Sequence, residues 1–117
     1  MSTTTPSVFS RIVAREIPAD VVFENDRVIV IHDIHPQAPL HLLVVPKTEE
    51  FANVAELAAG DPTLLAELVA VANSLAAELS NGEFRLIFNS GVSAGQTVFH
   101  VHAHVLSGTL DEDRIGF

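Results

Sequence analysis

All six histidines of this chain fall in two short segments, His32, His35 and His41 in one and His100, His102 and His104 in the other. Side chains on a strand alternate between faces with a period of two. An extended run from Val98 to Leu106 therefore puts His100, His102 and His104 on one face and Phe99, Val101, Ala103 and Val105 on the other. At a rise of about 3.3 Å per residue, same-face neighbours stand roughly 6.5 to 7 Å apart, close enough for three imidazoles to surround one small anion or one metal ion.

Three uses of such a face compete. The histidines can simply occupy a polar sheet face, each ring hydrogen-bonded locally. They can ligate a metal, because neutral imidazole binds zinc, although such a site also wants carboxylates behind the rings and Asp33 is the one next to a histidine in sequence. Or they can carry phosphoryl chemistry. A neutral imidazole attacks phosphorus through one ring nitrogen while the other holds its proton against an acceptor, and a second, protonated imidazole donates to the departing group. The segment Asn89-Ser-Gly-Val-Ser-Ala-Gly-Gln-Thr97 lies just upstream. It is small, polar and glycine-containing, so its N–H groups and the Gln96 and Thr97 side chains can point at phosphate oxygens, or it can be an ordinary turn between strands.

The elements that must hold these residues read as follows. Ser7 caps a short helix, Val8 to Arg15, with Phe9, Ile12 and Val13 on one face and Pro18 closing it. Val21 to Glu24 and Arg27 to Asp33 are β-branched runs around Asn25-Asp26, which predicts a hairpin, and His41 to Val45 is a third strand ending at Pro46. Asp61-Pro62 opens a long helix in which Leu64, Leu68, Val71, Leu75 and Leu79 recur at helical spacing until Asn81-Gly82. A second stripe, Leu65, Val69, Ala72 and Ala76, widens the apolar arc enough to cover a sheet and a partner subunit together. Phe84 to Asn89 and Val98 to Leu106 supply the last two strands. The expectation is one α+β domain on a five-stranded, mainly antiparallel sheet with one long helix and one or two short ones.

The 117 residues suit a single domain spanning 1–117, with residues 1–6 and 108–117 as loosely held tails. A formal charge of −9, with six scattered Lys and Arg, argues against a nucleic-acid groove. With no cysteine there is neither a disulfide framework nor a thiolate metal site. The first residues lack a signal-peptide pattern and no run approaches 18 uninterrupted apolar residues, so a cytoplasmic protein without a membrane partner is expected.

Gly95-Gln-Thr-Val-Phe-His100-Val-His102-Ala-His104-Val-Leu106 resembles the signature of the histidine triad family, in which histidine alternates with apolar residues. Phe9 to Pro18, Phe23-Glu-Asn-Asp26, His32-Asp-Ile34 and Pro36-Gln-Ala-Pro39 through His41 to Lys47 resemble the nucleoside phosphoramidase branch in order and spacing. The likeness covers residues 7–107. It implies that His102 is the nucleophile forming a nucleotidyl-histidine intermediate, that His104 contacts the α-phosphate and assists the leaving group, and that His100 and His41 orient the others. It further implies that Asn89, Gly95, Gln96 and Thr97 surround the phosphate, that Asp33 binds ribose hydroxyls, and that Phe9, Ile12, Phe23, His32 and Ile34 form the base pocket.

The same resemblance implies a homodimer with its sheets joined across the two copies, and cleavage of purine nucleoside 5′-phosphoramidates (adenosine or guanosine monophosphate joined through a P–N bond) without a cofactor. The transferase branch has glutamine at the third histidine, so His104 favours hydrolysis. A dinucleoside polyphosphate hydrolase is the rival enzyme, and a nucleotide-binding regulatory protein with incidental turnover the rival of another class. Many bacterial relatives carry Cys-x-x-Cys where this chain has Ser7 and Ser10, so structural zinc of that kind is not expected. The tail after Leu106 lacks the tryptophan of the animal phosphoramidases.

Overall fold

Asn25 folds the chain back on itself: its side-chain oxygen accepts from Arg27 N–H and Val28 N–H at 2.9 and 2.8 Å, joining β1 (Val21–Glu24) to β2 (Val28–His32) as the sequence predicts. β3 (Leu40–Pro46), β4 (Arg85–Ile87) and β5 (Ala103–Ser107) complete one antiparallel sheet, ordered β1-β2-β3-β5-β4. The computed structural model describes residues 6–108, so all of the expected tails except Pro6 and Gly108 lies outside the described residues.

Among the described residues three α-helices pack with the sheet. α1 (Val8–Val13) is capped by the Ser7 hydroxyl, which accepts from Ser10 N–H. α2 (Val54–Gly60), which was not located from sequence, has a readable signal: Asn53 accepts from Glu56 N–H while Glu56 reaches back to Ala52 N–H, a reciprocal cap. α3 (Pro62–Leu79) starts at Asp61, whose carboxylate accepts from Leu64 N–H, and stops where Gly82, at φ +88°, lets its N–H return to Ala76.

The sheet is packed on both faces. Val28, Val30, Leu42, Val44, Ala103 and Val105 meet α2 and α3, while Ile29, Ile31 and Val45 meet Phe9 and Ile12 of α1. This explains why β2 reads as a continuous apolar run rather than an alternation.

Of the second stripe on α3, Ala72 and Ala76 are fully buried within this single chain, where their small side chains permit close packing. The large apolar residues that α3 leaves exposed are Val69 and Leu79, with Leu65 and Val71 half-buried. By length and composition α3 could also cross a membrane, but its buried residues face the sheet in the manner of a core helix.

Candidate active site

The last strand begins later than the histidine alternation suggests. β5 opens at Ala103, so only His104 lies within it. Ahead of it Val101 N–H bonds to Phe51 O at 2.9 Å, outside the sheet, and this turns residues 98–102 out of the ladder. The expected single face of three strand histidines is thereby corrected. His102 and His104 remain neighbours, ring centroids 5.5 Å apart, whereas His100 swings inward and is buried. Val101, Ala103 and Val105 enter the core as expected, but Phe99 is about half exposed.

Each ring's proton can be placed from its partners, since a carbonyl only accepts and a backbone N–H only donates. His102 Nδ1 lies 2.9 Å from His100 O, so Nδ1 carries the hydrogen and Nε2 keeps its lone pair. His100 Nε2 donates to Pro46 O at 2.6 Å, which leaves its Nδ1 to accept from the Ser7 hydroxyl at 2.6 Å. Gln37 N–H donates to His41 Nδ1 at 2.9 Å, so His41 Nε2 is the protonated nitrogen and donates to His104 Nδ1, 2.9 Å away. His104 must then carry its hydrogen on Nε2. The result is a pair of adjacent imidazoles of opposite character: His102 offers a lone pair, His104 an N–H.

Ser7 and Gln37 fix two of these rings and were missed as such from sequence, Ser7 being noticed as a helix cap and, with Ser10, at the place of a Cys-x-x-Cys. Ser7 ties the start of α1 to His100, and Phe9, two residues on, packs its ring at 5.6 Å from His100 and 4.9 Å from His102. The Gln37 contribution is a backbone N–H, which no side-chain pattern announces.

The loop after β4 contains a single turn of 3₁₀ helix, Val92–Ala94, bracketed by Gly91 and Gly95 at φ +95° and +92°, a backbone region that other residues rarely adopt. Gly95 and Thr97 are exposed, and half-buried Asn89 lies beneath the turn, its amide nitrogen 3.9 Å from where a Cβ on Gly95 would stand. Gln96 is corrected. Its side chain does not reach toward a ligand but is buried within the loop, accepting from Gly91 N–H and donating to Ala52 O and Val98 O. A buried amide must satisfy its donors and acceptor internally, and here that need shapes the loop.

A cavity of about 440 Å³ opens beside the histidines, lined by Phe9, Ile12, Ile31, His32, Asp33 and Ile34 among others. Four of the five expected base-pocket residues are thus together, and Ile34, 86% exposed, forms the mouth. Phe23 is not among them. An irregularity in β1 between Val21 and Phe23 sets its register, and Phe23 packs with the α3-side core instead. Ile31 and Leu43 are lining residues that the sequence reading overlooked.

Asp33 stands where the cavity meets the rings. One carboxylate oxygen accepts from His35 N–H at 2.8 Å, and the other lies 3.4 Å from His41 Nε2 and 3.9 Å from His104 Nδ1. Burial, then the neighbouring His102 and His41 rings, push His104 down to about 4, against an upward pull from Asp33. Burial also lowers His41 and His100.

Among the described residues Asp33, His41 and His104 are also the three whose ligand atoms converge, within 4.8 Å of one another, as a metal site would require. The tautomers oppose that use. Ligation through His41 Nε2 moves its hydrogen to Nδ1, where it would face the Gln37 N–H, whereas metal-binding histidines place an acceptor there.

The family model described as the scavenger mRNA decapping enzyme C-terminal binding family matches residues 6–116. An uncharacterised HIT-like protein of Synechocystis is 43% identical over 103 residues, covering 87% of this chain and 90% of that protein. The chain belongs to the histidine triad family. Among solved structures, the histidine triad fold seen here superposes on a HIT family hydrolase from Clostridium thermocellum with a TM-score of 0.84 at 43% identity, covering 92% of this chain and 94% of that one. A HIT family hydrolase from Legionella pneumophila gives 0.83 at 40% identity, covering 89% and 94%.

Proposed function

We propose that this histidine triad protein is a nucleotide-binding hydrolase that cleaves purine nucleoside 5′-phosphoramidates, and that it works as a homodimer in the cytoplasm. The observation that carries this reading is the opposite character of the adjacent His102 and His104 rings, a lone pair beside an N–H donor. The similar proteins of Clostridium thermocellum and Legionella pneumophila are described as hydrolases, which supports the reaction class.

In the first step His104 enters as imidazolium: His102 Nε2 forms a bond to phosphorus and the P–N bond breaks, the departing nitrogen taking a proton from His104 Nε2 and leaving that ring neutral. An amine leaves well once protonated, which suits a site with one imidazole acid. In the second step water attacks the phosphorus, returns a proton to His104, and releases the nucleoside monophosphate and neutral His102. Asp33 would hold the ribose and the aliphatic cavity a planar purine. The dimer reading rests on the three-residue strand β4, an edge of the sheet among the described residues, and on exposed Val69 and Leu79 of α3.

The test is turnover of adenosine 5′-phosphoramidate beside diadenosine polyphosphate, both with chelator present. The expected result is hydrolysis of the phosphoramidate undiminished by chelator. Preference for the polyphosphate would make the chain a dinucleoside polyphosphate hydrolase. Tight binding of adenosine monophosphate with neither substrate turned over would make it a binding protein.

A further inference from the structure

The cavity beside the triad is aliphatic over most of its wall, and its polar side chains are Asp20, His32 and Asp33. A pocket of this kind takes its selectivity from its few polar groups. Asp33 faces His35 N–H and the edge of the His41–His104 pair, and its remaining capacity is assigned above to the ribose. Asp20 is not so engaged. The His32 N–H donates to the Asp20 carbonyl at 3.0 Å, which docks position 20 beside the end of β2 and turns its side chain along the cavity. Its carboxylate lies 3.9 Å from His32 Nε2, too far for a hydrogen bond, and among the described residues it has no closer polar partner. The cavity therefore presents one uncommitted, acceptor-only group next to an imidazole.

Resting on the nucleotide reading above, we propose that Asp20 reads the base and makes this site select guanine over adenine. Guanine presents two adjacent donors, N1–H and the N2 amine, which match the two oxygens of a carboxylate as a fork. Adenine presents one donor, its N6 amine, beside the N1 lone pair, so one bond forms and one contact repels. Hypoxanthine keeps N1–H and lacks the amine, and ranks between them. The His32 ring on the same wall stands where it can face the O6 oxygen. Because the Asp20 side chain is 78% exposed, water competes for both bases, and the expected preference is about tenfold rather than the factor of about ten thousand that a fully buried polar pocket reaches.

The experiment is calorimetric binding of guanosine, inosine and adenosine 5′-monophosphates to the full-length wild type, Asp20→Ala and Asp20→Asn. The three ligands share one phosphate, so removing a negative charge near it changes all three affinities alike and cancels in their ratio. In the wild type guanosine monophosphate should bind about tenfold more tightly than adenosine monophosphate, with inosine monophosphate between. In Asp20→Ala the three should fall within about twofold, and Asp20→Asn, which keeps the shape but turns one acceptor into a donor, should lose most of the preference. Equal or tighter adenine binding by the wild type, or a guanine preference that survives in Asp20→Ala, would overturn this assignment alone. No binding of any of the three would overturn the nucleotide reading and this assignment with it. Position 20 is exposed and outside helix and strand, so thermal melts of both variants should match the wild type.

Discussion

In the proposed reaction His104 acts as an acid only once it carries a second proton, on Nδ1. The bond it accepts there from His41 Nε2 must then give way, both N–H groups turning to the Asp33 oxygen 3.4 and 3.9 Å off. In the free protein burial and its imidazole neighbours hold the His104 ring at about 4. The substrate itself supplies what is missing. One negative charge on a phosphate about 4 Å from the ring, at an effective dielectric constant of about 20, stabilises the imidazolium by about 4 kcal/mol. At about 1.4 kcal/mol per pKa unit this is a rise of about three units, which brings His104 to about 7. The acid is thus charged by the ligand it serves. The assay is a pH titration of the histidine ring resonances by NMR, free and saturated with adenosine or guanosine monophosphate. The free ring should titrate near 4 and the liganded one near neutrality, and kcat for the phosphoramidate should fall as pH rises past that second value. A free value near 6.5, or a rise of less than one unit on binding, would refute this account of the acid.

His102→Ala should lower kcat by at least a thousandfold while nucleotide monophosphate still binds, measured by single-turnover kinetics and calorimetry; a variant keeping a tenth of wild-type rate would exclude His102 as nucleophile. Gln96→Ala strips Gly91 N–H, Ala52 O and Val98 O of their partner, and should cost about 2 to 4 kcal/mol in denaturant unfolding and weaken phosphate binding through loss of loop shape. Light scattering should report about twice the chain mass of 12.6 kDa, and Val69→Glu should shift the protein toward monomer, since that exposed residue would be desolvated at the interface. For acid stability, His104 is held below its ordinary 6.5, so between about 6.5 and about 4 the unfolded chain binds the proton and the folded one does not. Its contribution is complete above about pH 6.5 and is lost as pH falls toward 4, on the order of 1 to 2 kcal/mol for a ring that keeps some contact with water. Unfolding curves measured from pH 7 to 4 check the direction.

What could be read from sequence was what short-range geometry dictates. The Asn25 turn, the Ser7 and Asp61 caps and the Gly82 stop each act over a few residues, and all are where the pattern put them. The alternation of histidine with Val101, Ala103 and Val105 likewise marked the site, because burial of those three sends the His102 and His104 rings to the other side. Asn53-x-x-Glu56 was equally local, and so α2 was legible though unread.

What only the tertiary structure decided depends on partners far away in the chain. Phe51 O takes the Val101 N–H and makes β5 begin late, so the triad is not one strand face. The second stripe of α3 was read as wide enough for a sheet and a partner together, and the fold buries Ala72 and Ala76 within the chain while leaving Val69 exposed, since a small residue's role depends on how close the neighbouring layer comes. Phe23 and Gln96 had the residue types of a base pocket and a phosphate loop. A bulge in β1 and a buried amide's need for three backbone partners assigned them elsewhere. The tautomers of His41, His102 and His104 follow from a Gln37 N–H and a His100 carbonyl, backbone groups that every residue except proline possesses as a pair. Sequence can therefore name the imidazoles, but only the folded backbone determines which nitrogen of each carries the proton, and with it which ring offers a lone pair and which an N–H.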